Sequence, residues 1–500
     1  MVAETTDAAL HCTYPLSPDP LPQGEREWQV HVLYLPPKKI MARNTQVHAD
    51  HNPPPVTRTL AEFVANHPSG AAGGWSAAVD HEAHRTFFNW LGCGIGAAKH
   101  EAADAALRAL AVMQPAPQAT VLGRKERLDM AGAALVNGIT SHTFDFDDTH
   151  LKTIIHPAGP VASALLALAE VTGASGRALI DSLVLGIDVA CRVGNAMYPD
   201  HYDRGWHITG STGMLGAAAG CARMLGLDAD RTQMALGIAA STPVGLREQF
   251  GTMTKPFHPG AAARAGLLAA LLAREGFTAS KRALEAPRGL MQVASTKCDW
   301  NEVTDELGSR FEISFNTYKP FACGIVIHPA IDACAQLRAA GVQADDVERI
   351  EITVHSLVLE LTGKKEPKDG LEAKFSVYHG CAAGLLFGRA GEAEFADDVV
   401  TRADVVVARR KVVATVDPAI DEAEVRATAV LRNGERREVH VEHAIGSLQR
   451  PLSDADLERK FTALAEPVLG AAAVHELMAQ AWSVGKSANL RALAQRSVPA

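Results

Sequence analysis

The densest chemistry in this chain is the run Ser141-His142-Thr143-Phe144-Asp145-Phe146-Asp147-Asp148-Thr149-His150, followed at once by Ile154-Ile155-His156-Pro157. Three carboxylates within four residues repel one another and weaken a helix unless some are solvated, paired or bound. The run falls between two helical patterns and just ahead of one that starts with Pro157, where free backbone N–H groups receive an anion. Two plainer duties compete with a site. Asp147 or Asp148 would cap the following helix or its loop. Alternatively Asp145, Asp147 and Asp148 would hold magnesium, since hard cations take clustered carboxylates. The metal reading is the weaker, because no G-x-x-x-x-G-K-[ST] phosphate loop occurs anywhere in the chain.

Two further elements match each other in kind: Lys255-Pro256-Phe257-His258-Pro259-Gly260 and Tyr318-Lys319-Pro320-Phe321-Ala322-Cys323-Gly324. A lysine before proline is biased out of helix and into an extended turn at a helix edge. A cation fixed there suits a substrate carboxylate, although the spacing alone suits ordinary surface lysines equally well. Gly205-Trp206-His207 precedes a long apolar helix with Thr209, Ser211 and Thr212 at its entrance. A lone histidine there is more commonly a cap or a satisfied core residue. Gly92-Cys93-Gly94-Ile95-Gly96-Ala97 lacks the G-x-G-x-x-G spacing and follows a helical pattern, so close helix packing explains it better than a dinucleotide site.

Alanine is abundant, hydrophobic residues make up 47% of the chain and aromatics only 5%, a balance that favours closely packed Ala/Leu helices over a β-sandwich. Apolar periodicity predicts helices over 157–171, 177–197, 212–225, 231–240 and 261–274, with a tight stop at Gly226-Leu227-Asp228. Past residue 312 the texture changes. Strand-like runs cover 349–358, 411–416, 425–431 and 437–441, the last two flanking the two-residue hairpin signal Asn433-Gly434. Helical segments at 329–339 and 375–386 lie between them. The fold class is therefore mainly α with a smaller α+β lid domain. Residues 1–55, with nine of the 26 prolines, read as an extension outside the core; 56–312 as a helical domain; 313–452 as the lid; 453–500 as helices returning to the first domain.

The net charge of −9 is spread thinly, and Lys/Arg blocks are no longer than Arg409–Lys411, so nucleic acid is not an expected partner. Eight cysteines are scattered with no C-x-x-C pair. They read as reduced thiols of a cytoplasmic protein, although Cys323, Cys334 and Cys381 could in principle meet at an iron–sulfur cluster. No apolar run reaches membrane-span length, and the first residues do not read as a secretory signal.

The elements DFDDTH with its downstream HP, GWHITGSTGMLGAA, FGTMTKPFHPGAAARAGLL, KPFACGIVIHPAIDA and EAKFSVYHG occur in the order of the MmgE/PrpD family, which this chain resembles from residue 57 to about 450. The resemblance implies a helical domain with an α+β lid, a homodimer, and an active site between the domains. It implies catalytic roles for Asp145, Thr149, His156 and His207, and substrate-binding roles for Lys255, Lys319 and His379, the last at a position often held by tyrosine. Neither a cofactor nor a metal is expected. The implied substrate is a small polycarboxylic acid and the default activity a hydro-lyase of 2-methylcitrate type, as in propionate catabolism. Epimerase or decarboxylase activity on an iminodisuccinate- or cis-aconitate-like acid is the alternative, and a non-catalytic binding protein the third. Six residues, Lys152 among them, separate Thr149 from His156, a loop variation that bears on which histidine faces substrate, and two further features bear on the activity. Gly324 stands where vertebrate-type decarboxylases carry histidine, and FGTMTKP resembles the epimerase branch. On the expected mechanism, His156 exchanges a proton at the carbon next to a carboxylate, Asp145 tunes it, Thr149 positions the substrate, and the two lysines clamp carboxylates.

Overall fold

The computed structural model describes residues 53–500. The expected extension over 1–55 therefore lies outside the described residues except for Pro53, Pro54 and Pro55. Helix begins at Val56 and recurs in Val56–Asn66, Ala77–Gly96, Met130–Thr143, Ala158–Thr172, Gly176–Met197, Ile208–Met224, Ala229–Ala239 and Thr254–Arg274. Met130–Thr143, Ala158–Thr172, Ile208–Met224 and Thr254–Arg274 pack on one another at the centre. Small residues make that possible. A Cβ on Gly138 would stand 2.4 Å from Gly260 Cα, and one on Gly213 would stand 2.5 Å from the Pro160 ring. The glycines of the 92–97 run are likewise packing positions, since a Cβ at Gly92 would meet Phe461 at 2.8 Å and one at Gly96 would meet Leu464 at 2.9 Å.

One expectation fails in the last of these helices, which starts at Thr254 rather than near 261. Pro256 falls in its first turn, where the missing N–H would have had no partner, and Pro259 is carried inside the helix. Lys255 is thus a first-turn helical residue, not one held in an extended turn.

The second apolar core, built mainly from residues between Phe321 and Val441 and joined by Cys93, Phe146 and Leu464, packs around a four-stranded sheet in the order Val412–Val416, Val347–Val354, Val425–Leu431, Arg436–Val441. The first pair is parallel and the others antiparallel. Helices His328–Ala339 and Val377–Phe387 pack together and against these strands. The strand expected to run to 358 stops at Val354, because His355 accepts a hydrogen bond from Leu357 N and caps the helix Ser356–Thr362. The hairpin loop also differs. Leu431 N donates to Glu435 O and Gly434 N to Leu431 O, enclosing three residues, with Gly434 at φ +85°. That is a type I turn closed by a left-handed glycine rather than a two-residue turn.

Two three-residue strands escaped the sequence reading altogether. Asp148–His150 pairs antiparallel with Asn316–Tyr318, Thr149 opposite Thr317. The helices Asp454–Leu469 and Ala471–Trp482 rejoin the first core, packing on Ala77–Gly96. Among the described cysteines all are free thiols, buried except for the half-buried Cys298. No helix of the described residues is long and apolar enough to cross a membrane.

Candidate active site

The helix Met130–Thr143 ends at Phe144, and Asp145 follows at φ +50°. Aspartate tolerates this left-handed conformation better than most residues. The turn lies where the carboxyl end of a helix favours cations, and lysines from several elements converge on it. Lys255, from the first turn of Thr254–Arg274, donates to Asp145 Oδ1 at 2.8 Å. Lys319, directly after the Asn316–Tyr318 strand, donates to the same oxygen at 2.6 Å and to the Asp145 carbonyl at 3.2 Å. Lys374 reaches Phe144 O at 2.8 Å, while Lys460, from the C-terminal helices, donates to Phe146 O and, at 2.9 Å, to Lys319 O. All of these side chains are buried or nearly so. Burial alone would raise the Asp145 carboxyl, but Lys255 and Lys319 outweigh it and hold the group well below its ordinary range. Burial lowers Lys255; for Lys319 burial is overcome by Asp145 and Asp147, so its ammonium is held above the ordinary value.

Histidines line the other side. His156 Nδ1 is 2.7 Å from the Asp148 carbonyl. A carbonyl only accepts, so Nδ1 carries the hydrogen and Nε2 is left bare. Burial pushes this imidazole down to about 3. Asp147 divides between two rings: Oδ2 is 2.6 Å from His142 Nδ1, and Oδ1 is 3.5 Å from His156 Nδ1. Asp148 turns away from the cavity, accepting from Ala158 N at 3.1 Å and from Asn316 Nδ2 at 2.8 Å. It thereby caps the Ala158–Thr172 helix, and burial beside Asp147 pushes it up to about 7. The Nδ1 atoms of His207 and His258 are 2.9 Å apart, one ring donating and the other accepting. Burial, His142 and Lys255 hold His207 well below its ordinary value.

Asp145, His156, His207, Lys255 and Lys319 line one cavity, closed by Tyr202, Phe250, Phe375 and Leu361, with about 410 Å³ of empty space including its mouth. Two expected members are not there. Thr149 lies behind His156, its Oγ1 3.3 Å from Nδ1, and is fully buried in the short strand pair, so it holds the ring rather than a substrate. His379 sits in the core of the lid, donating from Nε2 to the Glu394 carbonyl at 2.9 Å. The expected partner of His156 is also corrected: the carboxylate beside it is Asp147, whereas Asp145 sits between the lysines. His150 faces Glu312 and Thr153, away from the cavity.

His142 and His258 were missed. Both lie inside quoted motifs, but only the fold sets His142 against Asp147 and His258 against His207. Donor atoms of His142, Asp145 and Asp147, and of His142, His156 and His207, come within 4.8 Å of one another. A divalent cation there is disfavoured by Lys255, whose charge already acts on every one of these groups.

The chain matches the MmgE/PrpD N-terminal domain over residues 58–303 and the MmgE/PrpD C-terminal domain over 321–484. It is 29% identical over 338 residues to the cis-aconitate decarboxylase-like protein oryM of Aspergillus oryzae, covering 63% of this chain and 70% of the relative. It is 29% identical over 371 residues to the cis-aconitate decarboxylase of Mus musculus, covering 70% and 75%. With the 2-methylcitrate dehydratase of Salmonella typhimurium it shares 27% identity over 401 residues, covering 74% and 82%.

Proposed function

The chain belongs to the MmgE/PrpD family, and on that premise we propose that it is a lyase of small polycarboxylic acids that moves a proton at the carbon next to a carboxylate, acting as a dehydratase on a 2-methylcitrate-like substrate. The observation that carries this reading is the enclosure of a neutral His156 with Lys255 and Lys319 in one buried cavity. A proton next to a carboxylate is weakly acidic, and its removal puts charge on the carboxylate oxygens. Ammonium groups fixed in a low-dielectric site stabilise that charge far better than water does.

His156 is the base. Its Nε2 accepts the proton, and the imidazolium that forms is stabilised by Asp147 Oδ1, which has no hydrogen-bond partner of its own. A bound polyanion raises the affinity of the ring for a proton, which brings a very weak base toward working range. His207, 6.4 Å from His156 between ring centroids, is neutral in the free protein; it protonates the departing hydroxyl once the bound polyanion has raised its own affinity for a proton in the same way. The substrate carboxylates share the lysines with Asp145.

Decarboxylation is the second reading, favoured by the names of several relatives. The same groups would then deliver a proton to carbon after carbon dioxide leaves. Gly324 lines the cavity and brings no side chain to it, which weighs against that chemistry. Incubating purified protein with 2-methylcitrate, cis-aconitate and related acids in D₂O, run in the hydration direction for a dehydratase, separates the readings by mass: loss of water, loss of carbon dioxide, or deuterium gained at carbon alone. His156→Gln should cut turnover and exchange at least ~10²-fold with the fold intact. Wild-type turnover with no deuterium on carbon would reject proton chemistry. A cytoplasmic, cofactor-free homodimer is the form this proposal expects; light scattering showing a monomer, or activity lost on chelation and regained with metal, would count against it.

A further inference from the structure

Beside the active cavity lies a second pocket with about 740 Å³ of empty space including its mouth. Ile154, Ile325 and Val326 line both, so the two cavities adjoin along an aliphatic seam. Beyond it the pocket is lined by Leu151, Pro329, Ala444 and Ile445, and Asp421 and Glu422 stand exposed at its rim. Ile154 holds φ +58°, a conformation that a β-branched residue adopts only under strain, and such strain gathers at functional sites.

We propose that this pocket receives an alkyl arm of the substrate, so that the acid processed is a polycarboxylate carrying an aliphatic chain longer than methyl. The inference rests on the polycarboxylate reading above and narrows it. Polarity fixes the direction of binding. The cations of the active cavity, Lys255 and Lys319, lie on its Asp145 side, whereas no lysine or arginine lines the second pocket and its rim carries two acids. A carboxylate pointed that way meets repulsion; a hydrocarbon chain meets Ile154, Ile325, Val326, Leu151 and Ile445. His328 is the pocket's buried titratable group, and burial, aided by Lys319, holds it down at about 3, so it adds no charge. An arm of this kind also removes apolar wall from water, which is the driving force for placing it there.

The test is a series of 2-alkylcitrates from methyl to hexyl. In the wild type kcat/KM should rise about fourfold for each of the first added methylenes, the gain from burying a CH₂ group. Ala444→Phe fills the pocket and should bring the ratio of the hexyl to the methyl substrate toward one; Ser447→Phe at the rim serves if the first variant does not fold. Turnover that is flat or falls with chain length in the wild type overturns the proposal. Calorimetry with alkylsuccinates supplies a reading independent of turnover. Affinity that climbs with chain length in the wild type but not in Ala444→Phe supports the arm pocket even if no acid is turned over, in which case the lyase assignment alone fails. Affinity independent of chain length overturns the arm pocket while leaving that assignment standing.

Discussion

At the scale of single residues, the decisive fact is that two lysines share one oxygen of Asp145. A substrate carboxylate entering the cavity therefore meets a preassembled cationic pair, and losing either member removes part of one clamp. Lys319→Met and Lys255→Met should each lower kcat/KM by about 10–100-fold, the worth of a hydrogen bond to a charged group. The double variant should fall well short of the product of the two effects, because they act on one ligand. Steady-state kinetics on variants whose circular dichroism matches the wild type checks this. Strictly multiplicative losses would mean that the lysines serve separate groups. These two lysines, Asp145, His156 and His207 were readable as candidates from motif and type. The pairing of Asp147 with His142 was not, because their spacing crosses the end of a helix and no periodic rule relates residues on either side of such an end. His379 was misplaced for a related reason: its helix was correctly read, but which face turns toward the Glu394 carbonyl depends on how the lid packs.

At the scale of elements, the helices were legible because apolar residues recur along them at the helical period. The short pair Asp148–His150 and Asn316–Tyr318 was not. Alternation needs four or more residues to register, and every one of these six is buried, which erases it. Yet this ladder sets Lys319 beside Asp145, so the invisible element does the positioning. The crossing of Met130–Thr143 with Thr254–Arg274 does the same for Lys255, since one helix ends at the acid and the other begins at the lysine. At that crossing Gly138 faces backbone, with only 2.4 Å from an added Cβ to Gly260 Cα. Gly138→Ala should therefore destabilise the fold by about 1–3 kcal/mol through overpacking, and should lower turnover as well, because it separates Asp145 from Lys255. Denaturant titration alongside kinetics decides: full stability and full activity in this variant would show that the crossing is looser than described.

At the scale of the whole molecule, the number of histidines kept neutral inside the fold makes stability a function of pH. Burial pushes His156 and His328 down to about 3 and His258 and His379 down to about 4, and it also lowers His142, His201 and His207. In the unfolded chain each would titrate near 6.5. The stability they allow is complete above that value and is lost progressively as pH falls toward 4, because the unfolded chain then binds more protons. Carboxyls raised by burial oppose the trend: Asp148 to about 7, Asp188 to about 6, with Glu82 and Glu392 also up. They favour the fold as pH drops, but the histidines outnumber them. The unfolding free energy should therefore decrease from pH 6.5 to 4.5, by about 1.4 kcal/mol per pH unit for each net proton. His379→Phe tests the bookkeeping away from the cavity. It deletes one such histidine, so near pH 5 its slope should be shallower than the wild type's by about that one-proton amount. An unchanged slope in His379→Phe would mean that this ring is already protonated in the folded protein near pH 5, and a wild-type stability that is flat or rises on acidification would mean that the raised carboxyls outweigh the buried histidines.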